Sequence, residues 1–530
     1  MGLDLFTTGD KLLTTHSDKY DFYYRNGCVV CPFRSQPKVE PYGAQQPEVY
    51  ILGEAAGETE IAEGRPFVGV AGAMLRDHIP KRWLDDRRLR WNNCVKARPP
   101  KNRTPLPAEL AACRQFLEDD IVASKPLAIF GFGAVPLGWV GLADAGISTW
   151  AGRYIPIEVR NRAGESHTCW YFPFLHPSYV SRMVSEASGA PVRAGYKSEI
   201  EFAFHMHLKK AFKLVDDIDT LGEPIVHTRE IAMDGIQTIR SYDDNSVQRI
   251  VRFIEDMYAE KVVGFDYETN AIRPYNNNTK ILSAALAGAK GALAWPQQHR
   301  EAKWTPKQLA TIEEALRRFL IEAPCLKTVH NVTFEIEWSA AFYGRETARS
   351  QTWECSMSQA YVLDERQASM NTGGPMSLEW LCKQYFGFSI KGLSPVNRAD
   401  LDSEPLEAVL PYNGCDAKYH RALFLKQRQR IKHEGLEDLY NEQMRRVVAA
   451  ALTSSKAYQL TTRKLKGSTI NTPGYRTRLT RSSRQWMLSR SFAPAVVPRF
   501  YQPRRRTFPF SSSKYYRRRM LNPPGITMAR

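Results

Sequence analysis

Two acidic residues stand two apart at the end of an apolar run, Lys261-Val262-Val263-Gly264-Phe265-Asp266-Tyr267-Glu268-Thr269. On a strand, positions i and i+2 point to one face, so Asp266 and Glu268 project together. Two carboxylates side by side repel unless a cation shares them, which makes the pair a candidate metal site. Taken alone, a solvated strand end is the plainer reading. Farther along, Tyr412 and Asp416 are four apart and share one face of a helix. A second concentration of chemistry lies in Gly53–Gly72, where five glycines in twenty residues follow the apolar strand Val49-Tyr50-Ile51-Leu52. Glycines let backbone approach a ligand closely, and a strand-to-loop exit at a sheet's carboxyl edge is where open α/β sheets bind ligands. Glu54 sits at that exit, and Pro66-Phe67 offers a rigid aromatic face beside it.

The run Gly53-Glu54-Ala55-Ala56-Gly57-Glu58…Gly64-Arg65-Pro66-Phe67-Val68-Gly69-Val70-Ala71-Gly72 resembles the first motif of family-4-type uracil-DNA glycosylases, with Ala56 where that family has proline. Asn93-Cys94-Val95-Lys96-Ala97-Arg98-Pro99-Pro100 and His176-Pro177-Ser178 resemble two further motifs in the same order, and the likeness spans about residues 25–215. A base cannot be attacked while stacked, so such an enzyme extrudes the nucleotide and reads its polar edge in a pocket. The resemblance implies that Phe67 stacks on uracil and Asn93 bonds its edge. It further implies that His176 donates to the developing oxyanion and Glu54 positions or activates water, with no metal in this step. Cys28-x-x-Cys31 and Cys113 resemble three of the four thiolates that hold a 4Fe–4S cluster in this family. The family's other cysteine falls at Ala97, and Cys94 is the nearby substitute as a fourth ligand. Three residues of extended chain reverse the face, so that substitution needs a local rearrangement.

His330-Asn331-Val332-Thr333-Phe334-Glu335 and Tyr412-Asn413-Gly414-Cys415-Asp416 follow the Asp266/Glu268 strand in order. Together the three segments resemble the motifs of the DEDDy 3′–5′ exonucleases, the proofreading domains of family A DNA polymerases, over about residues 235–440. Glu335 stands where that family most often has aspartate. The resemblance implies that Asp266, Glu268, Glu335 and Asp416 hold two Mg²⁺ or Mn²⁺ ions while Tyr412 orients the attacking water. The product would be a nucleoside monophosphate cut from a 3′ end.

These segments call for two α/β domains: a glycosylase-like three-layer sandwich over 1–220, then a ribonuclease-H-like exonuclease fold over 235–445. A polar, charge-mixed join falls around 218–245. The chain has 530 residues, room for two or three domains, and no palm or fingers signature of a polymerase core is evident. Net charge is +17, yet no acidic residue follows Glu442 and 20 lysines and arginines do. The expectation for 446–530 is a disordered basic tail, read either as a phosphate-binding arm or as out-of-frame sequence. The remaining five cysteines, Cys169, Cys325, Cys355, Cys382 and Cys415, show no pairing pattern, and with no evident signal or membrane segment they point to a reducing cytoplasmic setting, bacterial or phage-infected. Two readings of function follow. One is a DNA enzyme that excises uracil and trims 3′ ends, with single-stranded DNA and a separate polymerase or replisome as partners. The other is an exonuclease with a non-catalytic glycosylase-like DNA-binding module, a remnant of a phage polymerase.

Overall fold

The computed structural model describes residues 20–467, apart from 85–86, 144, 187–197, 277, 350–351, 365–374 and 394–395. Two six-stranded sheets organise it. The first comprises β1 (Tyr42–Gly43), β2 (Val49–Ala55), β3 (Leu89–Val95), β4 (Ala128–Phe132), β5 (Ile155–Arg160) and β6 (Ser166–Phe174), in the order β1-β3-β2-β4-β6-β5. Its four inner strands are parallel, and β1 and β5 pair antiparallel at the edges. The inner strands are apolar on both faces because helices cover both, as parallel sheets require. In β2, Val49 and Ile51 face the helices Val70–His78 and Glu199–Asp216, while Tyr50 and Leu52 face the helix Pro107–Ser124. That alternation makes the three-layer sandwich. It also brings the ends of β2, β3 and β6, with the loops after them, to one edge.

The second sheet contains β7 (Ile236–Thr238), β8 (Val262–Thr269), β9 (Ile281–Ala287), β10 (Ala292–Pro296), β11 (Leu326–Val329) and β12 (Trp353–Cys355), ordered β12-β11-β8-β9-β10-β7. The β8–β9 and β9–β10 pairs are antiparallel and the others parallel. Val263, Phe265 and Tyr267 of β8 pack against the helices Asp244–Asp256 and Pro306–Glu322. By alternation, Asp266 and Glu268 turn to the opposite face, under the long helix Leu406–His433. That helix lies close because the sheet beneath it offers small residues: Ala285, Ala287, Ala292 and Ala294 meet Leu406, Leu410 and Ala417. Gly264 completes the approach, since any Cβ there would collide with the Ala417 carbonyl oxygen.

Each sheet has a core of its own, and one buried cluster joins the two. Tyr50, Trp150, Ile155 and Val159 of the first half belong to the same buried cluster as Trp380, Leu381, Phe386 and Tyr419 of the second. Trp150 and Trp380 stack with ring centroids 3.6 Å apart, and Arg153 pairs with Asp364 at 2.7 Å. The expected polar join is structured. The His227 ring bonds the Tyr419 hydroxyl through Nδ1 at 2.7 Å, and the His227 backbone N–H donates to the Phe386 carbonyl at 2.9 Å.

The expected tail is corrected at its start, because residues 446–467 continue the helix Glu437–Gly467. No proline or glycine interrupts residues 437–466, and Met444, Val447, Val448, Ala451 and Leu452 cover the second core. The rest of the basic segment, from 468, lies outside the described residues. No described helix is long and apolar enough to cross a membrane.

Candidate active sites

At the carboxyl edge of the first sheet, Glu54, Phe67, Asn93, Thr104, His176 and Arg182 line a cavity of about 600 Å³. Glu54 comes from the end of β2, Asn93 from β3 and His176 from just beyond β6. Gly53 pairs in register with Asn93, and a Cβ on it would overlap both Asn93 Oδ1 and the Phe67 ring. Its absence lets those side chains meet. Phe67 holds a left-handed backbone, φ 58°, which a bulky residue keeps only when its surroundings dictate it. The Arg76 guanidinium donates to its carbonyl, Gly72 leaves room for that carbonyl, and its ring leans on Trp91 and Phe132 at 5.5 and 6.3 Å.

Burial, with the Arg182 charge adding to it, lowers the His176 pKa to about 4, so the ring is neutral at physiological pH. Its Nδ1 accepts from the Ser178 N–H at 3.2 Å, which leaves the proton on Nε2. Burial also raises the Glu54 carboxyl, against a bond from Thr104 that favours the ionised form.

Three of the four expected cysteines come near one another and the fourth does not. Cys31 and Cys113 share a small buried cluster with Phe33, Val95 and Ala97, and Cys28 stands one turn from Cys31. The Phe33 N–H donates to Cys31 Sγ at 3.4 Å, and the Lys96 N–H bonds Cys113. Cys94, expected as a fourth ligand, is corrected: it lies in the other core beside Tyr50, Leu52 and Leu117. Adjacent strand residues face opposite ways, and Val95 already points to the Cys31 side. Ala97 therefore puts a methyl group where four-thiolate ligation needs sulfur, and the residues present do not fit a four-cysteine 4Fe–4S site. All nine cysteines are free thiols.

On the second sheet, carboxylate oxygens of Asp266, Glu268 and Asp416 lie within 4.8 Å of one another, the only such group of potential metal ligands among the described residues. Glu335, on the helix Val332–Phe342, is buried beside them but outside that 4.8 Å group. Burial first, then repulsion from Glu268, Asp416 and Glu335, pushes the Asp266 carboxyl well up. Burial and Asp416 do the same to Glu268. Burial raises Glu335 to about 8, and raises Asp416 to about 7 against the opposing Arg398 charge. Asp416 Oδ1 and Glu335 Oε2 are buried without a hydrogen bond. Carboxylates crowded this way are costly unless cations replace the protons, so the donor set fits hard divalent metal ions.

Tyr412, four residues before Asp416, hydrogen-bonds its carboxylate. Three more residues, missed from sequence, complete the surroundings. Asn413 donates to Asp266 Oδ2 at 2.7 Å and accepts from Ser283 at 3.0 Å. His420 Nε2 lies 3.7 Å from Asp266 Oδ1, its ring stacked 5.7 Å from His330. Arg398 stands over the Tyr412 ring at 4.8 Å. Helical spacing carried a signal for His420, which follows Asp416 by four, whereas Arg398 arrives from a loop with no periodic mark.

Residues 40–197 match the uracil DNA glycosylase superfamily and residues 246–432 a 3′–5′ exonuclease family. The type-4 uracil-DNA glycosylase of Thermotoga maritima is 34% identical over 157 residues, 29% of this chain and 78% of that one. A DNA polymerase of Bacillus phage SP01 is 24% identical over 305 residues, 56% of this chain and 31% of the polymerase. The solved Brucella melitensis NrnC with bound Mg²⁺ overlaps 45% of this chain and 97% of that one at 16% identity and TM-score 0.28, too weak a likeness to speak for function. Both matched families are hydrolases, and the exonuclease domain implies divalent metal use at its carboxylate cluster. The chain belongs, through its amino-terminal half, to the type-4 uracil-DNA glycosylase family, and it carries a 3′–5′ exonuclease domain behind it.

Proposed function

We propose that the chain cuts uracil from DNA with its first domain and hydrolyses 3′-terminal phosphodiesters with its second. The observation that supports the first activity best is the convergence of Glu54, Phe67, Asn93 and His176 in one cavity. An extruded uracil stacks on the Phe67 ring, and the Asn93 amide pairs with its polar edge, which cytosine presents with donor and acceptor exchanged. Glu54 takes a proton from water as the oxygen bonds to the sugar C1′ and the bond from C1′ to the base breaks. The electron pair passes to the base, where the neutral His176 Nε2–H stabilises the oxyanion.

In the second domain, Asp266, Glu268, Glu335 and Asp416 would hold the metal ions, with the Asn413 amide fixing Asp266. Divalent cations bound there would supply positive charge to activate a water and stabilise the leaving oxygen. Tyr412 orients that water, and a nucleoside 5′-monophosphate leaves. We read these activities as working near a replicating 3′ end, in cytoplasm, with a polymerase as partner, and the likeness to a phage polymerase supports that reading.

The test uses full-length protein on a single-stranded oligonucleotide carrying one uracil. In EDTA, an alkali-labile abasic site should form at uracil and not at cytosine or thymine. With Mg²⁺, mononucleotides should be released, and Asp266→Ala or Asp416→Ala should abolish that release. Nuclease activity without any abasic site would make the first domain a binding module. Full nuclease activity in Asp266→Ala would remove the metal assignment.

A further inference from the structure

One charged group at the nuclease carboxylates has no part in the reaction as written. Arg398 lies on the segment leading into the helix Leu406–His433, and that segment is tied down at several points. The Asn397 N–H donates to Glu404 Oε1 at 3.2 Å, and the Ala399 N–H to Asn397 Oδ1 at 3.1 Å. Asp402 accepts from the Arg300 N–H at 3.2 Å and from Lys280 Nζ at 3.4 Å, while the Leu406 N–H donates to Glu301 Oε2 at 3.1 Å. The loop thus presents Arg398 at a defined place.

The residue is exposed, with its guanidinium carbon 4.8 Å from the centre of the buried Tyr412 ring. Its positive charge favours the ionised forms of Glu268 and Asp416. It nevertheless forms no ion pair with any described residue. An arginine placed only to neutralise those acids would close on one of them as a two-pronged pair. Here the fork stays in solvent, above the tyrosine assigned to the attacking water. Arginine's planar set of donors matches the non-bridging oxygens of a phosphate better than any other side chain.

We propose that Arg398 is a substrate-binding residue of the nuclease, gripping the non-bridging oxygens of the 3′-terminal phosphodiester above Tyr412. This rests on the nuclease reading of the carboxylate cluster. The grip holds phosphorus in line while the water oxygen bonds to it and the bond to the penultimate 3′ oxygen breaks. That oxygen leaves as the new 3′ hydroxyl after taking a proton, and Arg398 remains charged throughout. The same contact holds the departing 5′-monophosphate.

The experiment compares full-length wild type, Arg398→Ala and Arg398→Lys on a 3′-labelled, uracil-free single strand with Mn²⁺. Arg398→Ala should lower kcat/KM by about 10²-fold, the usual loss for one preorganised charge-stabilising donor. Arg398→Lys should recover part of it, because lysine restores charge without the fork. Product inhibition by deoxyadenosine 5′-monophosphate should weaken at least about tenfold in Arg398→Ala, as expected for losing a charge-assisted phosphate contact. Arg398→Ala should still bind Mn²⁺ by calorimetry and keep the wild-type thermal midpoint. Unchanged kcat/KM, unchanged monophosphate inhibition, or an activity loss matched by lost Mn²⁺ binding would each overturn the assignment. A wild type inactive on every 3′ end would instead overturn the nuclease reading beneath it, and this inference with it.

Discussion

Replacing Trp380 by alanine tests whether the two halves are one body. Trp380 lies on the helix Leu378–Phe386, only 2% exposed, with its ring stacked 3.6 Å from Trp150 and the Arg153 guanidinium 5.7 Å away. It is a second-half residue buried by first-half partners. Truncating a buried tryptophan to alanine costs about 3–5 kcal/mol in lost transfer and cavity terms. If roughly 440 residues unfold together, an unfolding entropy of about 2.1 cal/mol/K per residue makes each degree worth about 0.9 kcal/mol, so Tm should fall by about 3–5 °C. If the halves melted separately, a nuclease half of about 200 residues would absorb the whole loss. Its own transition would then drop by about 7–12 °C while the other stayed in place. Differential scanning calorimetry distinguishes these outcomes, and heat-inactivation of uracil excision should shift together with that of nucleolysis. Two transitions, only one of which moves in Trp380→Ala, would refute the shared core.

Three further outcomes are expected. The metal-free protein should lose stability as pH rises from about 5 to 8, because carboxyls near 4 in the unfolded chain titrate near 7 and 8 at Asp416 and Glu335, so the folded state binds more protons across that window. Stabilisation by Mg²⁺ should grow over the same window, and thermal melts with and without the ion at each pH check both. Ala97→Cys should raise the iron content and visible absorbance of anaerobically purified protein above wild type, since it supplies the missing fourth thiolate. Equal iron in the two proteins would show that the fourth corner is not at 97. His176→Ala should slow uracil excision by about 10²-fold or more in EDTA and leave the metal-dependent nuclease unchanged, as single-turnover assays would show.

The candidate residues that the fold brings together carried local, repeated marks in the sequence. Asp266 and Glu268 alternate with Phe265 and Tyr267 along one strand, so the alternation of apolar and acidic residue types separates the core face from the acid face. Tyr412 and Asp416 keep helical spacing, and the helix delivers both to one place. The glycosylase pocket was legible through its glycines, two of which give room that the structure puts to use: Gly53 between Phe67 and Asn93, and Gly72 under the Phe67 carbonyl. What escaped lies where no periodicity reports. Arg398 reaches the site from a loop, and Asn413 reads as a neighbour of Tyr412 until Ser283 and Asp266 are seen to bracket it. The helix over 446–467 was hidden by charge composition, which outweighed the uninterrupted helix-forming run.

The join between the halves shows why composition misleads about domains. Residues around 218–245 are polar enough to read as a linker, yet His227 is held by Tyr419 and by the Phe386 carbonyl, and Ile236–Thr238 forms an edge strand of the second sheet. Polarity there reflects partial exposure at a seam, not freedom. The apolar residues that close the seam, Trp150 and Trp380, lie 230 positions apart and each reads as the core of its own half. Only their juxtaposition shows a joint surface. The seam ties the two halves together, so a strand engaged at both proposed sites should have a preferred spacing between its uracil and its 3′ end. That spacing should survive in wild type and blur in Trp380→Ala, measurable by scanning uracil position along otherwise identical oligonucleotides.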